Sequence, residues 1–203
     1  MTIKFLINIF ISLINVFILA RYIYLLRSQR IRPSLAMWTF FSLATGISLF
    51  TYFAEDDYSF SDNILNLTDL VLVVSVSAAI FVLGDRSTRF NRFDLFCLII
   101  VGIIILFWAF SNNHILTNFA VQGILVISYF PVVSRMLHQK KNTEDFYIWI
   151  ALFTAPLISL LANEGLLASV YAIRAIFCTA LLLGLMLRIE FQKKIKTPNL
   201  GLN

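Results

Sequence analysis

The sequence predicts an all-α membrane protein of seven transmembrane helices, with the N-terminus outside and the C-terminus cytoplasmic. Three observations carry that expectation. Of the 203 residues, 60% are hydrophobic and only 13% charged, too few polar groups to cover a water-soluble globule. Seven apolar stretches divide the chain, and the short segments between them alternate in charge. Runs such as 97–108 are apolar throughout, without the ten-residue alternation of a membrane β-strand.

A helix crossing a hydrocarbon layer about 30 Å thick needs about 20 apolar residues, since each advances roughly 1.5 Å. The segments that meet this are 5–25, 34–54, 64–84, 94–110, 116–137, 146–163 and 166–187. Arg27, Arg30 and Arg32 follow the first, Glu55, Asp56, Asp57 and Asp62 the second, and Arg86, Arg89 and Arg92 the third. The fourth connection is uncharged. Arg135, Lys140 and Lys141 mark the fifth, Glu164 the sixth, and Arg188, Lys193, Lys194 and Lys196 the tail. Lys and Arg are retained on the cytoplasmic side of an inserting chain, which sets the orientation. Only Lys4 and Arg174 depart from the pattern.

The net charge of +5 is thus a topology signal and a grip on anionic membrane lipid, with no nucleic-acid partner implied. Cys97 and Cys178 lie inside apolar stretches, where a thiol acts as a small hydrophobe, and no cofactor or metal is expected. The first stretch is too long for a signal-peptide core and runs straight into Arg21, Arg27 and Arg30, as a retained span does. The chain reads as a single integral membrane domain, 1–203, in a bacterial cytoplasmic (inner) membrane.

A shift of 111 positions superposes Trp38 on Trp149, Leu26 on Leu137, and 47–49 (Ile-Ser-Leu) on 158–160. A shift of 105 aligns Asp69 with Arg174 and Asp85 with Glu190. The fourth stretch offers no polar group between 95 and 110 beyond Cys97 and the indole of Trp108, as suits a helix facing lipid. Seven spans then parse as 3+1+3: a three-helix unit 5–84, a linker helix 94–110 and a second unit 116–187. An odd linker gives the two units the same orientation, as parallel repeats.

This plan, with Tyr129-Phe130-Pro131 near the inner end of span five, resembles the SWEET sugar transporters and the wider PQ-loop family along nearly the whole chain. Val132 stands where a PQ-loop protein has glutamine, Ala20 aligns with Pro131, and of the family's paired asparagines only Asn66 is represented. The resemblance implies a carrier of a small polar solute, sugar-like or amino-acid-like, working by alternating access.

Asp69 and Arg174 are the formal charges deep inside spans, each costing at least ~2.5 kcal/mol unless compensated. Opposite in sign and aligned between the halves, they are expected to meet near the pseudo-twofold axis, either as a packing ion pair or as part of a site. Each also has a route to the interface by snorkelling. Asn8, Ser12 and Asn15 share one helical face, Asn118 and Gln122 repeat the spacing of four, and Asn66 lies three before Asp69. Converging, these faces form a polar cavity; separately, they act as interhelical glue. The expected substrate-binding residues are Asn15, Asn66, Asp69, Gln122 and Arg174, with Pro131 and Pro156 as hinges. Trp38, Trp108 and Trp149, near span ends, read as interfacial anchors.

His114 and His138 lie in opposite connections, and neither a Gly-x-Ser-x-Gly elbow nor a phosphate-binding glycine loop occurs, so an enzyme is not expected. The expected function is a carrier for a small polar metabolite, homo-oligomeric if a chain this small is to wall a pore. The rival is a non-transporting seven-helix sensor or assembly partner.

Overall fold

The computed structural model describes residues 3–55, 58–84, 92–111 and 113–196, so Asp56, Asp57, Asp85, Arg86 and Arg89 lie outside the described residues, as do the side chains of Trp108, Lys194 and Lys196. The described chain is all helical: α1 (Ile3–Arg27), α2 (Leu35–Glu55), a 3₁₀ turn (Phe60–Asn63), α3 (Ile64–Leu83), α4 (Arg92–Ser111), α5 (His114–Ile127), α6 (Phe130–Gln139), α7 (Phe146–Ser159) and α8 (Leu166–Lys196). Each of the seven apolar stretches is therefore helical. Among the described residues five segments are long and apolar enough to cross a membrane: Ile3–Arg27, Leu35–Glu55, Phe60–Leu83, His114–Gln139 and Leu166–Lys193. The chain has the build of a multi-pass integral membrane protein.

Three boundaries differ from the sequence expectation. Span five is two helices, because Pro131 lacks a backbone N–H and starts a new helix after the Ser128–Tyr129 turn. Span six is helical only over 14 residues, with Pro156 inside it, and ends in turns at Leu160 and Leu161. Span seven continues past its apolar part through Arg188 and Glu190 to Lys196.

Burial follows helical spacing. In α1, Ile11, Asn15, Ile18, Tyr22 and Leu25 face inward, while Leu6, Phe10, Leu13 and Phe17 are exposed. A helix apolar on both faces and exposed on one is solvated by hydrocarbon. The α4 helix shows the same outward face at Leu95, Ile99, Ile103 and Leu106, and packs chiefly on α5 and lightly on α2. The core is built by α1 on α3 and α7, α2 on α3 and α5, and α8 on α7 and α5.

The two ends of the bundle are tied by opposite chemistry. At one end Lys4 pairs with Asp62 and with Glu164 (2.6 Å), Asn8 Nδ2 donates to the Ser61 carbonyl, and Tyr52 OH donates to the Glu164 carbonyl. Gly165, at φ +82, seals this corner: a Cβ there would meet the Tyr58 hydroxyl at 2.6 Å. At the other end Arg21 forks onto both oxygens of Asp145 (2.6 and 2.8 Å) and, against the cost of burial, holds that carboxyl below its usual range. The Arg32 N–H donates to the Thr143 carbonyl and Arg135 to the carbonyls of Arg32 and Pro33. Gln29 (φ 54) and Lys140 (φ 50) are the non-glycine residues in the left-handed region among those described, and they stand 111 positions apart.

Candidate functional site

Four helices, α2, α3, α7 and α8, line one cavity inside the bundle, and α1 and α5 back its wall with polar side chains. The Asn63 carboxamide caps α3 by accepting from the Asn66 N–H, and Asn113 caps α5 by accepting from Leu116 N–H at 2.9 Å. These caps fix the rotation of the helices that present Asn66, Asp69, Asn118 and Gln122. The α1 helix supplies Asn15, and α8 supplies Tyr171 and Arg174.

The cavity, with 40 Å³ of room for water-sized groups, is lined by Trp38, Phe41, Thr45, Asp69, Tyr129 and Trp149 among others, and by Pro156, Tyr171, Arg174 and Thr179. At roughly 10–15 Å³ per water, it holds about three. Asp69 accepts from Asn15 Nδ2 (3.0 Å) and from Tyr171 OH (3.0 Å), which compensates the carboxylate at depth. Arg174 donates through Nε to Gln122 Oε1 (3.3 Å), and its guanidinium lies 4.7 Å over the Tyr171 ring.

The expected meeting of Asp69 and Arg174 is corrected in its form. Both face one cavity, yet they make no direct ion pair; Tyr171 stands between them, its hydroxyl on one and its ring under the other. Leu65, Asp69, Leu72 and Val73 of α3 and Tyr171, Arg174, Ala175 and Thr179 of α8 line the same cavity.

Asn15, Asn66 and Gln122 stand one layer behind the wall. Gln122 Nε2 donates to Asn118 Oδ1 (3.0 Å) and Ser48 Oγ (3.4 Å), Asn66 Nδ2 donates to Ser48 Oγ (3.1 Å), and Asn118 Nδ2 donates to Thr51 Oγ1 (3.0 Å). Asn15 spans from Thr68 to Asp69, and with Ser12 it also borders an apolar outer groove between α1 and α3. The five residues singled out from the sequence thus join two linked hydrogen-bond chains, with Tyr171 and Arg174 as the bridge. Pro156 is in the cavity wall, and Pro131 lies at the helix break just beyond Tyr129.

The anchoring role expected of Trp38 and Trp149 does not hold, since each is only 1% exposed. They belong to an aromatic floor in which Tyr22, Trp38, Phe41, Tyr129 and Trp149 succeed one another at 5.0–6.0 Å between ring centroids. Their indole N–H groups converge: Trp38 donates to Tyr22 OH (2.9 Å), Tyr22 OH donates to Glu144 Oε2 (3.1 Å), and Trp149 donates to the same oxygen (3.3 Å). Buried beneath this floor, the Glu144 carboxyl is pushed up to about 7 by desolvation, against the pull of those donors and of Arg135.

Sequence reasoning missed Tyr171, Ser48, Tyr22 and Glu144. The acidic pair Glu144-Asp145 after Lys140 and Lys141 was the available signal for Glu144, and the i, i+3 spacing of Tyr171 and Arg174 for the tyrosine. Among the described residues no three His, Cys, Asp or Glu side chains gather to hold a metal. The chain matches no protein-family model, no curated protein and no solved structure.

Proposed function

We propose that this chain is a small helical carrier, similar in plan to the SWEET and PQ-loop transporters, that passes a small polar metabolite between two three-helix units by alternating access. The observation that carries the reading is the sharing of one cavity by two opposite charges that do not neutralise each other directly. Such a pair offers a solute both a carboxylate and a guanidinium at mid-depth. Asp69 and Arg174 are the solute contacts in this reading. Asn15, Asn66 and Gln122 position them, and the buried oxygens Asn15 Oδ1 and Asn66 Oδ1, unpartnered within the protein, are acceptors for solute hydroxyl or amine groups once the bundle opens.

Several features support the two-unit plan. The left-handed residues Gln29 and Lys140, the capped starts at Ser34 and Asp145, and the lining pairs Trp38 with Trp149, Phe41 with Leu152 and Thr45 with Pro156 all stand 111 apart. Exchanging α1 with α5, α2 with α7 and α3 with α8 carries the α2–α5 contact into α7–α1, and α2–α3 into α7–α8. The peripheral α4 fits a linker. With the basic end cytoplasmic, the N-terminus lies outside, in a bacterial inner membrane.

In this reading the closed cavity is an occluded state, which rocking about Pro131 and Pro156 widens. The test is uptake of a panel of sugars and amino acids into proteoliposomes. At least one solute is expected to accumulate above empty vesicles, with a loss of about tenfold or more in Asp69→Asn and Arg174→Ala while helical content and gel-filtration behaviour are kept. Absence of uptake for every solute would overturn the carrier. The small cavity volume favours a second reading, a non-transporting sensor or assembly protein, in which the same variants alter stability and no solute moves.

A further inference from the structure

The 111-residue offset between Gln29 and Lys140 brings two similar turns face to face at the basic end, and what they enclose is a site separate from the mid-depth cavity. Between the α1–α2 and α6–α7 connections lies a polar pocket of 220 Å³. Arg30, Arg32 and Lys141 give it three cations, while Gln29 and Gln139 bring carboxamides. Among the described residues no carboxylate lines it. Arg30 and Lys141 are themselves 111 apart, so the charge is delivered from both sides of the pocket.

The backbone of the pocket is fixed. The Arg32 N–H donates to the Thr143 carbonyl, Arg135 holds the carbonyls of Arg32 and Pro33, and the Asn142 carboxamide accepts from the Glu144 N–H at 3.0 Å. Thr143, at the pocket wall, is only 8% exposed, and its Oγ1 is buried with no partner in the protein. That hydroxyl is closed off behind the pocket wall, which leaves the cations and carboxamides as the groups the pocket presents. Three cations around one concavity, rather than strung along a helix face, suit a compact oxyanion with more than one charged oxygen, which guanidinium groups bind through paired N–H donors. Leu137 and Tyr147, close in sequence to the pocket residues Gln139 and Thr143, are exposed apolar side chains, so phosphate-bearing lipid headgroups are one source of the anion.

We propose that this pocket binds a phosphate group, through Arg30, Arg32 and Lys141. The group comes from an anionic phospholipid headgroup or from a free phosphate compound in the aqueous phase. The site does not depend on the transport reading and stands equally for a sensor.

The test is thermal unfolding of the full chain in a neutral maltoside detergent at constant ionic strength. One arm titrates inorganic phosphate against chloride, and the other titrates phosphatidylglycerol against phosphatidylcholine in mixed micelles. A saturable rise in unfolding temperature is expected in at least one arm, and which arm responds identifies the source. In R30Q/K141Q the half-saturating concentration should rise about tenfold or more. R27Q removes an exposed charge at the same end that does not line the pocket, and should respond as the unmodified chain does. If the double variant does not fold, K141Q alone carries the comparison with R27Q. No saturable rise in either arm overturns the proposal, as does an equal weakening by R27Q and the pocket variants.

Discussion

The α1 helix and the α5–α6 pair occupy stretches of the chain 111 residues apart, yet one is a single helix of 25 residues and the other is broken at the Ser128–Tyr129 turn. The difference traces to one position in the 111-residue register: Ala20 in the first, Pro131 in the second. The α2 and α7 helices differ likewise, with Thr45 in one cavity wall where Pro156 stands in the other. Two regions with turns, caps and tryptophans at the same spacing therefore differ in helix continuity. Bends are concentrated on the second side, so any opening of the cavity is expected to move α5 to α7 more than α1 and α2.

The largest test of this likeness is the pair Trp38→Ala and Trp149→Ala. Both indoles are fully buried in the same floor, and each loss should cost roughly 3–5 kcal/mol in chemical denaturation followed by fluorescence. Comparable losses sharpen the comparison. A near-zero cost at either one breaks it, because that indole would then not be a structural counterpart of the other. Next is Ala20→Pro, which places a ring where α1 is continuous and should cost roughly 3 kcal/mol or more. Tolerance of proline there would mean that α1 already bends like its partner.

Glu144 tests the floor beneath both tryptophans, with an effect on the order of 3 kcal/mol. Its folded pKa of about 7 exceeds the ordinary 4.5, so between those values the folded protein holds a proton that the unfolded chain has released. This contribution is fully present below about pH 4.5 and is lost as pH rises through 7. Unfolding midpoints should accordingly fall from pH 5 to pH 8, and Glu144→Gln should flatten that slope while keeping an acceptor for the Tyr22 hydroxyl and the Trp149 indole. An unchanged slope in the variant would assign the pH dependence elsewhere.

Helix positions were legible because apolar length is written directly in composition, and the polar faces of α1, α3 and α5 because amides at spacings of three and four share a face. Tryptophan placement was not. A residue near a span end reads as interfacial unless neighbouring elements cover it, and here Trp38 donates to Tyr22 of α1, which in turn donates to the Glu144 oxygen that also accepts from Trp149, a meeting across elements that helical periodicity does not show. The Asp69–Arg174 relation was legible as a convergence of charges but not in its geometry. The intervening Tyr171 side chain depends on helix rotation, and one residue of register decides whether two charges touch or share a neighbour. Pro131 was visible as a break, but only the turn after Ser128 reveals that it opens a new helix instead of kinking an existing one.

That last point yields the smallest expected change in stability. Pro131 sits in the first turn of α6, where a missing N–H deprives no carbonyl of its intrahelical partner, so Pro131→Ala should alter stability by less than about 1 kcal/mol. The substitution restores an N–H and frees φ, allowing α5 and α6 to join as α1 is joined. If the break serves opening, solute uptake should fall several-fold in proteoliposomes even though the fold is kept, and the second side would then behave as the first does. If uptake is unaffected, the break only routes the chain around Tyr129, and the asymmetry between the two sides is one of shape alone.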